Sequence, residues 1–289
     1  MSEERIRPKL KPALTAFPER YALPGRPEGA SPAALDAHRQ TSFLLDGDLA
    51  TFERAMDLQL RIVGAGSRLR TVEAAALFGF WSRSYTGLSD TCLLMTRGSY
   101  ASCPPPLRTA LDCLAAQRSL IRDGYAEYEE WLRVAVSQAK EQQALAVALG
   151  RFRAGSVLAE DAALGPAYRL LTELTMPHFG STALLTAPDS NLQKLALTFG
   201  DQAFHLGWAE LICGWLLLLA GAQIQAVADS GIFAIDGATE EDANAVTRQI
   251  ALALANRRRC RVEEVDGRFI FHNFRRTSSG QPRRVVLWA

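Results

Sequence analysis

The most constraining feature of the sequence is an apolar run over residues 206–222, in which Glu210 is the only charged residue. A helix that spans a bilayer needs about 20 apolar residues, so this run stands at the lower limit of length. Asp201 and His205 lie just upstream of it. The run therefore predicts a buried core helix, which requires a helical protein large enough to surround it.

Hydrophobic periodicity extends the helical pattern over residues 31–228. In the 289-residue chain, 48% of residues are hydrophobic, enough for a sizeable core. Apolar residues recur at spacings of three and four, as on one face of a helix. The pattern predicts a mainly α-helical bundle with helices over residues 32–46, 48–64, 70–97, 106–123, 125–150, 161–176 and 190–227, the second capped by Asp48.

The two ends of the chain differ from this helical region. Residues 1–30 contain prolines every few positions, which forbid a regular helix and predict an extended arm or a disordered tail. Residues 229–289 predict a small β-α-β-β-β segment. Its predicted elements are a strand over 231–235, a helix over 239–256, a hairpin around Asp266-Gly267 and a last strand near the C-terminus.

The near-neutral total charge of +1 hides an uneven distribution. From Arg248 to Ala289 ten arginines face three acids, whereas the helical body is acidic. The candidate contacts to a nucleic acid or protein partner are Arg275, Arg276, Arg283 and Arg284. The interleaved aromatics Phe269, Phe271, Phe274 and Trp288 suit base stacking in single-strand binders, but they also suit packing of the sheet on its neighbour. Docking of the basic segment on the acidic body of the same or another protomer is the other interpretation.

Motifs that fix a reaction are absent from the sequence. It contains no HExxH, P-loop, GxSxG, or GxGxxG after a strand. The five cysteines form no CxxC pair and predict buried free thiols in a reducing compartment. No cofactor and no metal site are expected. The N-terminus lacks the apolar run of a signal peptide, so we expect a cytoplasmic protein.

Arg108 and Asp112 form the first candidate polar pair. They stand four residues apart, on the helix that follows Pro104-Pro105-Pro106, among leucines and alanines. A buried arginine needs a carboxylate partner, so one interpretation is an internal salt bridge. The other is that Arg108 faces a cleft and presents its planar fork to an anion.

Glu173 and His178 form the second candidate pair, at the end of a helix that stops at Pro177. A histidine at a helix C-terminus is favoured when it is protonated. His178 either caps the helix or forms a polar wall of a pocket.

Asp201 and His205 are four residues apart, as on one face of a helix. Glu210 lies five residues beyond His205, on another side of the same predicted helix. Neither Glu173 nor Glu210 belongs to the Glu-x-x-His pairs of a dinuclear metal bundle. His205 and Glu210 are therefore candidates for ligand binding, not for a metal centre.

Residues 85–180 carry a resemblance to a known group of families. The elements are Tyr85-Thr86-Gly87-Leu88, Leu94 to Tyr100, Leu107 to Asp112 and Leu174 to His178. They resemble helical bacterial families of unknown function that are similar to HEPN-like bundles. In those families the arginine is followed by a glutamate, where this chain has Asp112. The resemblance implies a helical bundle, often dimeric, sometimes encoded near defence or toxin–antitoxin genes.

The ribonuclease members of that group carry an Arg-x(4–6)-His element, and no histidine of this chain has an arginine at that spacing. Nuclease chemistry is therefore not implied. Two hypotheses follow. The first is a non-catalytic interaction module, homo-oligomeric, that contacts protein or nucleic acid through its basic C-terminal segment. The second is a ligand-binding protein or enzyme with a pocket among the central helices, lined by Arg108, Asp112, Glu173 and His178.

Overall fold

The protein is a helical bundle with a small antiparallel sheet at the C-terminal end. The structure, a computed structural model, describes residues 14–133, 154–158, 161–177, 179–187, 190, 193–233, 235–273 and 284–288. The helices that lie wholly within these residues are α1 (Pro32–Leu44), α2 (Asp46–Gly66), α3 (Val72–Thr96), α4 (Pro104–Arg122), α6 (Ala154–Leu158), α7 (Leu164–Thr175), α8 (Phe179–Thr186), α9 (Leu206–Asp229) and α10 (Gly237–Leu254). Residues 126–133 are the described part of α5, and a 3-10 turn, Tyr100–Ser102, joins α3 to α4.

Local capping explains where several helices begin. The Ser31 hydroxyl accepts the Ala34 N–H at 3.1 Å, with Pro32 at the first helical position of α1. The Thr71 hydroxyl does the same for Ala74 at the start of α3. Both are the interactions by which serine and threonine stabilise helix starts.

Helix α9 is the core of the bundle, packed by α2, α3, α4 and α10. Among the described residues it is the one helix long and apolar enough to cross a bilayer, with a mean hydropathy of 1.8, and 78% of its apolar window is buried inside the protein. A core helix passes the same test of length and composition as a membrane span. The packing of α9 therefore agrees with the prediction that the apolar run forms a buried core helix.

Helices α3 and α4 pack unusually closely because of Gly87. A Cβ at this position would lie 2.7 Å from the Pro106 carbonyl oxygen and 3.2 Å from the Ala110 Cβ. Real side chains do not tolerate such a separation, so only glycine allows this approach. The close packing brings the start of α4, with Arg108, firmly onto the bundle.

The proline-rich arm lies on the helical body over its described part. Residues 14–30 form neither helix nor strand. The Tyr21 ring is buried edge-on against Phe52 of α2, 5.7 Å between ring centroids. The Tyr21 and Leu23 N–H groups donate to Asp57 and Glu53 of the same helix at 3.3 and 3.2 Å.

The C-terminal sheet has the order β1-β2-β3, from Arg261–Val265, Arg268–Asn273 and Arg284–Trp288. Both pairs are antiparallel, and Val265 stands opposite Arg268. Asp266 and Gly267 join β1 to β2 with positive φ at both residues, +52° and +73°. This is the two-residue turn that the Asp-Gly pair predicts.

Three predictions of local structure are wrong. Residues 231–233 and 235 form no strand, because they pair with none of the strands of the described sheet β1-β2-β3; the Phe233 ring packs against Phe78 and Trp81 instead. The helix predicted over 190–227 begins only at Leu206, after an extended segment. Asp48 does not cap α2, which begins at Asp46; its carboxylate binds Arg259.

Candidate functional site

Arg108 and Asp112 form an ion pair on α4. This is the internal salt bridge that one of the two interpretations of the sequence predicted. The Arg108 Nε lies 3.2 Å from one Asp112 oxygen and the Nη2 lies 3.3 Å from the other. The Arg108 side chain is 18% exposed and that of Asp112 is 43% exposed. The pair therefore lies at the edge of the core, with its carboxylate reaching solvent.

Helix α7 supplies the other partners of Arg108. The guanidinium stacks on the Tyr168 ring, with its carbon 3.8 Å from the ring centroid, and donates to the Tyr168 hydroxyl at 2.6 Å. It also donates to the Thr172 hydroxyl. Both terminal nitrogens and one aromatic face are thus engaged within the protein. An anion would have to displace these partners to use the fork of Arg108.

Glu173, the other described residue of the predicted pocket, faces away from this cluster. Glu173 is exposed on α7, about 100° around the helix from Thr172, which faces Arg108. His178 lies outside the described residues. The structure therefore joins Arg108 and Asp112 to Tyr168 and Thr172, two residues that the sequence analysis missed.

Asp201 and His205 are paired, but not on a helix. The His205 Nε2 lies 3.0 Å from an Asp201 carboxylate oxygen, within the extended segment before α9. Burial raises the pKa of Asp201, but hydrogen bonds from the Ala203 N–H and from His205 outweigh it and hold the pKa below its usual value. The His205 ring also packs edge-on against the buried Tyr100, 6.1 Å between centroids. The pair orients the chain where it enters α9.

Glu210 is separate from this pair and binds the C-terminal segment instead. Its carboxylate accepts the Cys260 N–H at 2.9 Å, and its backbone carbonyl accepts from the Arg259 Nη2 at 3.0 Å. The Glu210 side chain is buried. Glu210, the charged residue of the apolar run, thus accepts a hydrogen bond from the residue before β1, where the sheet packs on α9.

Arg259 is the most buried arginine of the described chain and anchors this segment. Its Nη1 donates to Asp48 of α2 at 2.6 Å, and its side chain is 8% exposed. It lies against Gly214 of α9, where a Cβ would be 3.2 Å from the Arg259 Nε. Arg259 belongs to the basic segment, for which docking on the acidic body is one of the interpretations of the sequence, but no local signal identifies Asp48 as its partner.

The basic surface of the C-terminal segment consists of Arg257, Arg258, Arg261 and Arg268. Arg257, Arg258 and Arg268 are exposed, and none of the three forms an ion pair within the described part of the chain. Arg261 pairs with Glu263 at 2.8 Å and donates to the Arg257 carbonyl. His272 contacts the same Glu263 at 3.1 Å. One carboxylate therefore serves two neighbours, while three arginines face solvent.

Phe269 and Phe271 of β2 face the bundle. Phe271 is buried and stacks on Trp208 of α9, 6.1 Å between centroids at 25°. Phe269 packs against the same core. Since side chains alternate across a strand, the solvent face of β2 carries Arg268, Ile270 and His272 instead. These two phenylalanines are not placed for base stacking, and Phe274 lies outside the described residues.

Of the four arginines predicted to contact a partner, Arg275, Arg276 and Arg283 lie outside the described residues, and Arg284 begins β3.

All five cysteines are buried, and none of them forms a disulfide bond within the described residues. Burial raises the pKa of Cys92 and of Cys213 to about 12, so neither thiol is a nucleophile at neutral pH. Among the described residues, no group of three or more His, Cys, Asp or Glu side chains is arranged to hold a metal ion.

Comparison with known proteins adds no relative: no family model, no curated protein and no solved structure matches this chain. The resemblance of residues 85–180 to HEPN-like bundles therefore stays a prediction.

Proposed function

We propose that this chain is a non-catalytic interaction module of the cytoplasm that binds an anionic macromolecule through the basic surface of its C-terminal segment. The proposal rests on the different environments of three consecutive arginines. Arg259 is buried and anchors the segment through Asp48, whereas Arg257 and Arg258 are exposed without a carboxylate partner in the described chain.

Anchoring matters because a rigid support lowers the entropic cost of binding. Arg268, at the far end of the hairpin, adds a third exposed cation. A partner that carries many negative charges, such as the phosphates of a nucleic acid, offers an acceptor to each of these cations. Because Phe269 and Phe271 pack on the bundle, we expect contacts to the backbone of the nucleic acid and little dependence on its sequence.

The alternative of a ligand pocket at Arg108 has less support. Tyr168, Thr172 and Asp112 already engage that guanidinium, so it has no open fork for an anion. An enzymatic role would also need a free reacting group, whereas in the described Arg108 cluster the Asp112 carboxylate is paired with the guanidinium and the Tyr168 and Thr172 hydroxyls accept from it.

The test is binding of fluorescein-labelled single-stranded RNA and DNA, measured by anisotropy at several salt concentrations. The triple variant Arg257→Glu, Arg258→Glu, Arg268→Glu should bind at least about tenfold more weakly, because three phosphate contacts are lost. For single strands each contact contributes about −0.7 to the slope of log affinity against log salt, so the slope should become shallower by roughly 2.

The matched control reverses three exposed arginines of the helices, Arg39, Arg122 and Arg133, which changes the net charge equally. It should bind like the wild type. A second variant, with Arg275, Arg276, Arg283 and Arg284 changed to glutamate, tests the rest of the segment. Wild-type protein that binds neither the oligonucleotides nor polyglutamate would refute the proposal, as would equal losses in the control.

A further inference from the structure

The proline-rich arm is bound to α2 through its main chain. The Tyr21 N–H donates to an Asp57 carboxylate oxygen at 3.3 Å, and the Leu23 N–H donates to one of Glu53 at 3.2 Å. Two residues of an extended chain span about 6.6 Å, and four residues of a helix rise about 6 Å. Because the two repeats match, two carboxylates on one face of α2 bind alternate N–H groups of an extended chain.

One aromatic ring fixes the position of the arm along α2. The Tyr21 ring lies between α2 and α3, edge-on to Phe52 at 5.7 Å and to Tyr85 at 6.2 Å between centroids. Edge-on contacts are a favoured arrangement of aromatic rings. Tyr21 is 9% exposed, whereas Phe17, against Gly64 of α2, is 41% exposed. The slot between the two helices therefore holds a single ring deeply.

The other contacts of the arm are few. Among residues 14–30 only Tyr21 and Pro27 are buried. The His38 Nε2 of α1 lies 3.2 Å from the Pro24 carbonyl oxygen. All the charged residues of this range are exposed: Glu19, Arg20, Arg26 and Glu28. A segment with few buried contacts opens locally while the rest of the protein stays folded, so we expect the arm to leave α2 without unfolding the bundle.

The contacts also indicate what else could bind in place of the arm. Glu53 and Asp57 accept peptide N–H groups, which the backbone of a nucleic acid lacks, so the surface suits a polypeptide. Leu23 packs against the core, and Pro24 after it favours extended backbone at Leu23. None of these contacts requires the arm to be joined to α1. An extended segment with an aromatic residue, a leucine two residues later and then a proline would make all of them.

We propose that the arm site, defined by Phe52, Glu53, Asp57, Gly64 and Tyr85, binds an extended Tyr-x-Leu-Pro segment of a partner protein, and that the arm of this chain occupies the site until such a segment displaces it. The arm lowers the apparent affinity for the partner by the fraction of chains in which it is open. None of the five residues belongs to the basic surface of the C-terminal segment, so the arm site goes beyond the function proposed above.

The probe is a fluorescein-labelled synthetic peptide with the sequence of residues 14–30, and its binding to the full chain is measured by anisotropy. In the variant Tyr21→Ala the arm loses its ring and competes less, so this protein should bind the peptide at least about tenfold more tightly than the wild type. The matched control is Phe43→Ala, an aromatic residue that is 81% exposed on α1, and it should bind like the wild type. A peptide that carries Tyr21→Ala should bind to none of these proteins.

A second variant tests the two carboxylates. Replacing Glu53 and Asp57 with alanine in the Tyr21→Ala protein removes both acceptors and should weaken binding of the peptide at least about tenfold. Binding that survives this change would assign the peptide to another surface. Failure of the Tyr21→Ala protein to bind the peptide would overturn the proposal.

Hydrogen exchange on the wild type keeps the test independent of how the variants fold. The protein is labelled with ¹⁵N, so that its arm differs in mass from the added peptide. Amides of residues 18–25 should exchange faster than those of α9, and excess unlabelled peptide should make them faster still. An arm that exchanges only as slowly as α9 overturns the proposal. So does an arm that exchanges between copies, seen as a dimer in sedimentation velocity, because the occupant is then a second copy of this chain.

Discussion

Arginines in this protein differ in role according to what surrounds them. The Arg259 side chain is shielded from water by α9, and it donates hydrogen bonds to Asp48 and to the Glu210 carbonyl. Arg258, its neighbour in sequence, is exposed. A buried cation is costly to strip of its partner, because the remaining charge loses solvent without compensation. The same residue type therefore serves as an anchor at one position and as a binding group at the next.

Replacing Arg259 with methionine should lower the free energy of unfolding by about 3–5 kcal/mol, because Asp48 is left without its cation in a mostly buried setting. Arg258→Met is the matched control and should change stability by less than about 0.5 kcal/mol, as exposed substitutions usually do. Urea denaturation followed by circular dichroism measures both. Equal effects of the two substitutions would show that Arg259 does not anchor the segment.

At the scale of the secondary-structure elements, the turn after α3 depends on a single glycine. Gly98 has a φ of +73°, which side chains rarely adopt, and a Cβ there would lie 2.2 Å from the Gln202 carbonyl oxygen. Gln202 also accepts a hydrogen bond from the Ser31 hydroxyl at 2.7 Å. The turn thus holds together the starts of α1 and α4 and the entry to α9.

Gly98→Ala should cost roughly 2–5 kcal/mol, from the left-handed backbone and the overpacking against Gln202. Gly79→Ala, in the middle of α3 with nothing within 4 Å of its Cβ position, should instead stabilise the protein by about 0.5–1 kcal/mol. Thermal unfolding monitored at 222 nm compares the two. A Gly98→Ala protein as stable as the wild type would mean that this turn can shift without loss.

On the scale of the whole molecule, the bundle is organised around α9, and most of this helix is covered. Glu210 lies within it and accepts a hydrogen bond from the C-terminal segment. The apolar run that resembles a membrane span in length is thus enclosed by α2, α3, α4 and α10. Its hydrophobicity stabilises the fold by removal from water.

We therefore expect the expressed protein to stay in the supernatant when a detergent-free lysate is ultracentrifuged, because α9 has little apolar surface left for lipid. An integral membrane protein of the host serves as the control for the pellet. Recovery in the pellet, with release by detergent but not by high salt, would contradict the enclosed position of α9.

Local patterns predicted most of the helices and the hairpin, since helix periodicity, N-caps and the Asp266-Gly267 turn act over a few residues. They gave the Arg108–Asp112 ion pair as one of two interpretations, whereas Asp201 and His205, expected on one helix face, pair in the segment before α9. The helix predicted over 190–227 was wrong at its start, although Leu195, Leu197 and Phe199 recur at the two-residue spacing of an extended segment.

What the sequence alone determined is therefore the helical class, the core position of the apolar run and the basic character of the C-terminal end. Only the tertiary structure decided which acid neutralises Arg259, that Tyr168 and Thr172 engage Arg108, and that the sheet turns its phenylalanines toward α9. The reason is physical: these contacts join residues 60 to 211 positions apart, and no short-range preference of the backbone specifies which distant side chain will meet a given charge when the core closes.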